Sequence, residues 1–125
     1  MKLLLDLHAF LWFVDDDRKL SAAARALIED PVNDIRLSVG SVWEMAIKVG
    51  LGIRQPVDVF VKEQVSVNRI ALLNITIEHA ATVATLPLHH RDPFDRLLIA
   101  QALVEQIPVV GVDGNFDACG VQRLW

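Results

Sequence analysis

The stretch from Asp92 to Asp113 reads DPFDRLLIAQALVEQIPVVGVD, and its pattern decides the fold. Asp92 is a good N-cap and Pro93 suits the first helical position, so a helix opens there and runs to about Gln106. Pro108 then leads into Val109–Val112, an apolar run that reads as a strand. Asp113-Gly114 is a turn pair. This is a helix feeding a buried strand that ends on an acid.

The same grammar runs upstream. Leu3–Leu5 reads as a buried strand ending at Asp6, and His8–Val14, apolar on nearly every side, as a buried helix. Ser21 caps a helix to about Glu29. A turn at Pro31 and Asn33-Asp34 precedes a second strand, Ile35–Val39. After Gly40 a helix runs from Ser41 to Val49 and is stopped by Gly50 and Gly52. Pro56 opens another, with Val57, Phe60, Val61 and Val65 at helical spacing. Ile70–Ile75 is strand-like, Ile77–Leu86 helical, Leu88–Arg91 a loop, and Val121–Leu124 a last edge strand. Strands alternate with helices, and the strands lack polar–apolar alternation. That predicts an α/β sandwich whose mostly parallel sheet is covered on both faces.

The 125 residues fit one domain, 1–125, and can bury a real core. The hydrophobic content of 53% excludes disorder. A mean hydropathy of +0.37 suggests a thickly covered sheet or a partner that hides apolar surface. Asp6 and His8 interrupt the apolar start, so it does not read as a secretory signal, and no run is long enough to span a bilayer. Cys119 is the single cysteine, which suits a reducing, cytoplasmic setting, and it reads as a small buried hydrophobe. The net charge of −4 argues against a globally basic nucleic-acid binder.

Four acids fall at one kind of place. Asp6 ends the first strand, Glu44 lies in the first turn of the helix after the second, Asp95 opens the long helix, and Asp113 ends the strand after it. Each alone has an ordinary explanation: Ser41-x-x-Glu44 is a capping-box pattern, and Asp6, Asp95 and Asp113 suit helix starts and turns. Together they converge, because strand C-termini and the starts of the following helices share one edge of a parallel sheet. Crowded carboxylates must protonate or bind a cation. Hard oxygen donors with no nearby Cys favour Mg²⁺, or Mn²⁺, over zinc. Such a centre suits phosphodiester hydrolysis, and the ion answers the charge objection by turning a repulsive edge into a phosphate site.

At these residues the sequence resembles the PIN-domain ribonucleases, most closely the VapC toxins. The matching pieces are Leu4-Leu5-Asp6-x-His8-x-x-x-Trp12; Leu37-Ser38 with Ser41–Lys48; Leu86–Ala102; Asp113 with Phe116; and Leu124-Trp125. The resemblance implies a three-layer α/β/α fold and Mg²⁺-dependent endoribonuclease activity leaving 5′-phosphate and 3′-hydroxyl ends. It also implies a homodimer held inactive by a cognate VapB-like antitoxin. Asp6, Glu44, Asp95 and Asp113 fall on the family's four acidic positions, as catalytic and metal-binding residues. Leu7 and Gly111 stand where the family usually carries Thr, which bears on metal affinity and substrate positioning. Two rivals remain: a PIN-like module that binds antitoxin or RNA without cutting, and a small phosphotransfer enzyme using the same edge.

Other polar residues have bland readings beside functional ones. Ser38 either bonds a site carboxylate or is a strand-end or capping serine. Asn115 and Asp117 read as a solvated turn before a second-metal role, and Asp92 as a cap. His8 reads as a core histidine, and His89-His90 as sequence neighbours that point apart. For Lys48, Arg54, Arg91 and Arg96 a solvated or salt-bridged role is the safer reading, with RNA phosphate contact as the alternative. Trp12, Trp43, Phe60 and Trp125 read as core or interface packing rather than base-stacking platforms.

Overall fold

The computed structural model describes residues 1–48, 50–87 and 92–125. Residues 88–91, with His89, His90 and Arg91, and Val49 lie outside the described residues; the helix expected to run to Val49 ends at Ile47, with Lys48 as its C-cap. Five strands, β1 (Lys2–Leu5), β2 (Asp34–Ser38), β3 (Ala71–Leu73), β4 (Val109–Val110) and β5 (Arg123–Leu124), pair in the order β3-β2-β1-β4-β5. Every pairing is parallel. The helices are α1 (Leu7–Val14), α2 (Ala22–Glu29), α3 (Val39–Ile47), α4 (Val57–Val67), α5 (Ile77–Val83) and α6 (Pro93–Glu105), with a 3₁₀ segment at Gly114–Cys119.

The pleat of β1 explains the layers. Side chains alternate across a strand, so Leu3 and Leu5 join one apolar cluster with Phe10, Leu11, Ala24, Ile28, Leu37, Met45 and Val61. Leu4 points the other way, into a second cluster with Leu73, Leu98, Ile99, Ala102, Val109 and Phe116. The sheet is therefore buried on both faces, a three-layer α/β/α sandwich. Trp12, Phe60 and Trp125 pack against the first cluster; half-buried Cys119 packs against the second. Trp43 does not: it is 56% exposed.

Several local expectations are corrected. The cap of α3 is Ser38, whose hydroxyl accepts from Gly40 N at 3.0 Å, so Ser41 caps nothing and Glu44 lies in the second turn. Gly40 is inside the helix and lies close to α6: a Cβ there would stand 2.6 Å from Leu97 Cδ2. His8 is exposed rather than core, because Leu7, Ala9, Phe10 and Leu11 take the inner face of α1. The turn after Asp113 continues as the 3₁₀ segment, capped by Asp113 Oδ1 on Asn115 N at 2.9 Å.

Among the described residues, no helix is long and apolar enough to cross a membrane.

Candidate active site

β1 is the central strand, and the chain leaves it toward β2 on one side and returns at β4 on the other. That reversal opens a crevice beyond the strand C-termini. Asp6, Glu44, Asp95 and Asp113 all line it, together with Asp92, Lys48, His8, Ser41 and Phe94.

Each acid is delivered by a different piece of backbone. Asp6 follows β1 directly and caps α1, its Oδ1 accepting from Ala9 N at 2.7 Å. Asp95 sits in the first turn of α6, which Asp92 caps through Phe94 N at 2.8 Å. Glu44 comes from the cleft side of α3 and is buried. Asp113 follows β4 and caps the 3₁₀ segment.

Asp6 is the strained member. It is 8% exposed. Burial, and then the charges of Asp95, Asp113 and Glu44, push its pKa from 3.8 up to about 6, against the Ala9 hydrogen bond that lowers it. Asp6 therefore feels the charge of the other three acids. Gly111 makes room for this side chain: a Cβ there would stand 2.5 Å from Asp6 Oδ2. Gly111 has no left-handed φ, so the contact and not the backbone requires glycine. Leu7, the other departure from the resembled pattern, is buried and also lines the crevice.

The crevice is charged out of proportion to the rest. Among its described lining residues are five carboxylates and one lysine, a net of −4, equal to the formal charge of the whole chain. The acidic balance is thus concentrated here. Lys48 Nζ donates to Glu44 Oε2, and this bond, ahead of the charges of Asp92 and Asp95, raises the lysine pKa.

Among the described residues, no three His, Cys, Asp or Glu side chains close into a ready-made metal cage. The donor set still fits a hard divalent ion. It is all oxygen, and Mg²⁺ keeps several waters and binds through one or two carboxylates rather than a protein cage.

The remaining candidates resolve to structural partners. Ser38 Oγ donates to Gln101 Oε1 at 2.5 Å, not to a site acid. Asp117 pairs with Arg123 at 3.1 Å, and Asn115 is exposed outside the crevice lining. Arg96 donates to the carbonyls of Pro87 and Val83, at 3.0 and 2.8 Å, and braces the α5–α6 connection. Arg54 is exposed. Trp43 meets Phe94 edge-on at 5.0 Å on the rim. Sequence reasoning missed two features. The Glu44–Lys48 pair was signalled by its i,i+4 spacing. The fully buried His79 and Gln101 carried no local signal.

A profile of the PIN domain matches residues 3–121. The chain belongs to the PIN-domain family. This PIN domain is similar to the crystal structure of VapBC2 from Rickettsia felis bound to a DNA fragment from their promoter. The TM-score is 0.71 at 13% identity, covering 99% of this chain and 98% of that one. It is also similar to FitAB bound to the IR36 DNA fragment, with TM-score 0.65, 20% identity and 98% and 93% coverage. FitAcB from Neisseria gonorrhoeae gives the same score and identity, with 98% and 96% coverage. At these identities the likeness is one of fold. Among curated protein sequences, none matches.

Proposed function

We propose that this PIN domain is a Mg²⁺-dependent endoribonuclease, the toxin of a VapBC-type pair. The observation that carries the reading is the meeting of Asp6, Glu44, Asp95 and Asp113 in one crevice, although they come from four separate elements. Membership of the family and the sequence resemblance to VapC toxins support it.

In this reading Asp6 and Asp95 would hold the ion, and Glu44 and Asp113 would complete its carboxylate set. A bound divalent ion supplies acidified water and charge neutralisation at the phosphate. The chain's own residues do the rest. Asp6 is held by its cap bond to Ala9 in a largely dry position, so its charge is poorly solvated and strongly available to a cation. A water oxygen attacks phosphorus, its proton passes to a carboxylate, and the P–O3′ bond breaks. The 3′ oxygen leaves with a proton from solvent, giving 5′-phosphate and 3′-hydroxyl ends. No protein nucleophile takes part.

A VapB-like antitoxin, a homodimer and a cytoplasmic setting belong to the same reading. Support for an antitoxin comes from the similarity to the VapBC2 and FitAB assemblies. Exposed Leu72, Ile75 and Ile77 beside the edge strand β3 offer apolar surface for a second chain.

Cleavage of cellular RNA by the purified chain tests the activity. Discrete fragments that require Mg²⁺ and both Asp6 and Asp95 are expected. Folded protein that binds Mg²⁺ yet leaves RNA intact would instead favour the non-cutting module.

A further inference from the structure

Lys48 is the one lysine or arginine among the described residues lining the crevice, and it faces five carboxylates. It closes α3 as the C-cap residue, and its ammonium is bonded to Glu44. The two partners differ in freedom: the Glu44 side chain is 9% exposed, that of Lys48 43%. The acid is fixed by packing, and the cation is on a half-solvated four-carbon stem. A pair with one partner so exposed contributes little to stability.

Its placement has a chemical consequence. Glu44 has two possible counter-charges, the ammonium and a divalent ion. Once an ion shares the carboxylate, the attraction that holds Lys48 falls and the ion repels it. The incoming phosphodiester is the one new anion within reach. A lysine is suited to that exchange, because its charge is compact and its three donors rotate freely.

We propose that Lys48 is a tethered counter-cation: it neutralises Glu44 until a divalent ion takes over the carboxylate, and then shifts to a phosphate oxygen of bound RNA. This rests on the nuclease reading above. It makes Lys48 a competitor of the metal and a helper of the substrate, so its removal moves the two affinities in opposite directions. A purely structural ion pair moves neither that way.

The test titrates Mn²⁺ calorimetrically into the metal-free full chain, for the wild type and for Lys48→Met, Lys48→Gln and Lys48→Arg. It also measures kcat and KM for RNA at saturating Mn²⁺, with circular dichroism as the fold control. The two neutral variants are expected to bind Mn²⁺ about tenfold more tightly, the scale of removing a unit charge roughly 6 Å from a divalent ion in water. Their KM for RNA rises about tenfold or more, as a charge-assisted phosphate contact is lost. Lys48→Arg keeps a near-wild-type Mn²⁺ affinity and recovers part of the KM. Neutral variants whose Mn²⁺ affinity is unchanged or weaker, or whose KM is unchanged, overturn the role of Lys48. If the wild type still binds Mn²⁺ and cleaves, the nuclease reading survives that result. A wild type that neither binds Mn²⁺ nor cleaves removes both.

Discussion

Asp6 carries the conflict between stability and function. Its folded pKa of about 6 lies above the unfolded value, so the folded state holds the extra proton between roughly pH 4 and 6. Stability of the metal-free chain therefore falls as pH rises through that window, and the whole penalty is present above it. Asp6→Asn keeps a capable N-cap and removes the charge. It should stabilise the metal-free protein at pH 8 by up to about 3 kcal/mol while abolishing cleavage, and the gain should shrink toward pH 4. Thermal melts at the two pH values check this; a variant less stable than wild type at pH 8 contradicts it. In the wild type, Mg²⁺-dependent cleavage should weaken as pH drops through about 6, where protons compete for Asp6. Gly111→Ala is the steric counterpart. The added Cβ displaces the Asp6 carboxylate without backbone strain, and kcat/KM should fall by about tenfold or more, as for other groups that orient a metal ligand. An unchanged rate with intact circular dichroism would remove Gly111 from the account. Asp6, Asp95 and Asp113 were legible in the sequence because each follows a strand or opens a helix; Glu44, in the second turn of α3, was read one turn too early. The Gly111–Asp6 contact was not legible, because it joins two strand ends that only the parallel pairing of β1 with β4 brings together.

Among the elements, α6 is the one that aims the site. Its Asp92-Pro93 start could be read directly, and the structure places the cap as expected. Its interior anchor could not. Gln101 is fully buried, accepting from Ser38 at the end of β2 and lying 3.5 Å from His79 Nδ1. His79 Nδ1 accepts from Thr76 N at 3.1 Å, which leaves Nε2 to donate to Glu105 at 3.1 Å. This network ties α5, α6 and the end of β2 together. Gln101→Leu leaves buried polar partners unmet and should cost about 1–3 kcal/mol in urea unfolding. A neutral substitution would show that the network does not hold the helices. The start of α3 shows why element boundaries blur. Gly40 suggests a break and Ser41 a cap, but Gly40 lies inside α3 close under the Leu97 side chain, and the cap falls back to Ser38. The outward turn of His8 has the same origin: which face of a nearly all-apolar helix meets the core is decided by the sheet, not by the helix.

For the molecule as a whole, the sheet and its two apolar layers follow from strands that are apolar on both faces. The order β3-β2-β1-β4-β5 puts every acid-bearing end on one edge. A crevice with a net charge of −4 should repel RNA until a divalent ion is bound. Filter binding of the wild type should accordingly show far weaker RNA retention in EDTA than in Ca²⁺, a hard ion that replaces Mg²⁺. Equal retention in both would put the RNA surface elsewhere. The central claim is that these four carboxylates form one metal-dependent cutting centre. The most direct test is incubation of total cellular RNA with purified chain in Mg²⁺ and in EDTA, beside the folded Asp6→Asn/Asp95→Asn double variant. Discrete fragments with 5′-phosphate ends are expected only for wild type with Mg²⁺. Fragments that persist in EDTA or in the double variant, or intact RNA in every lane, would contradict it.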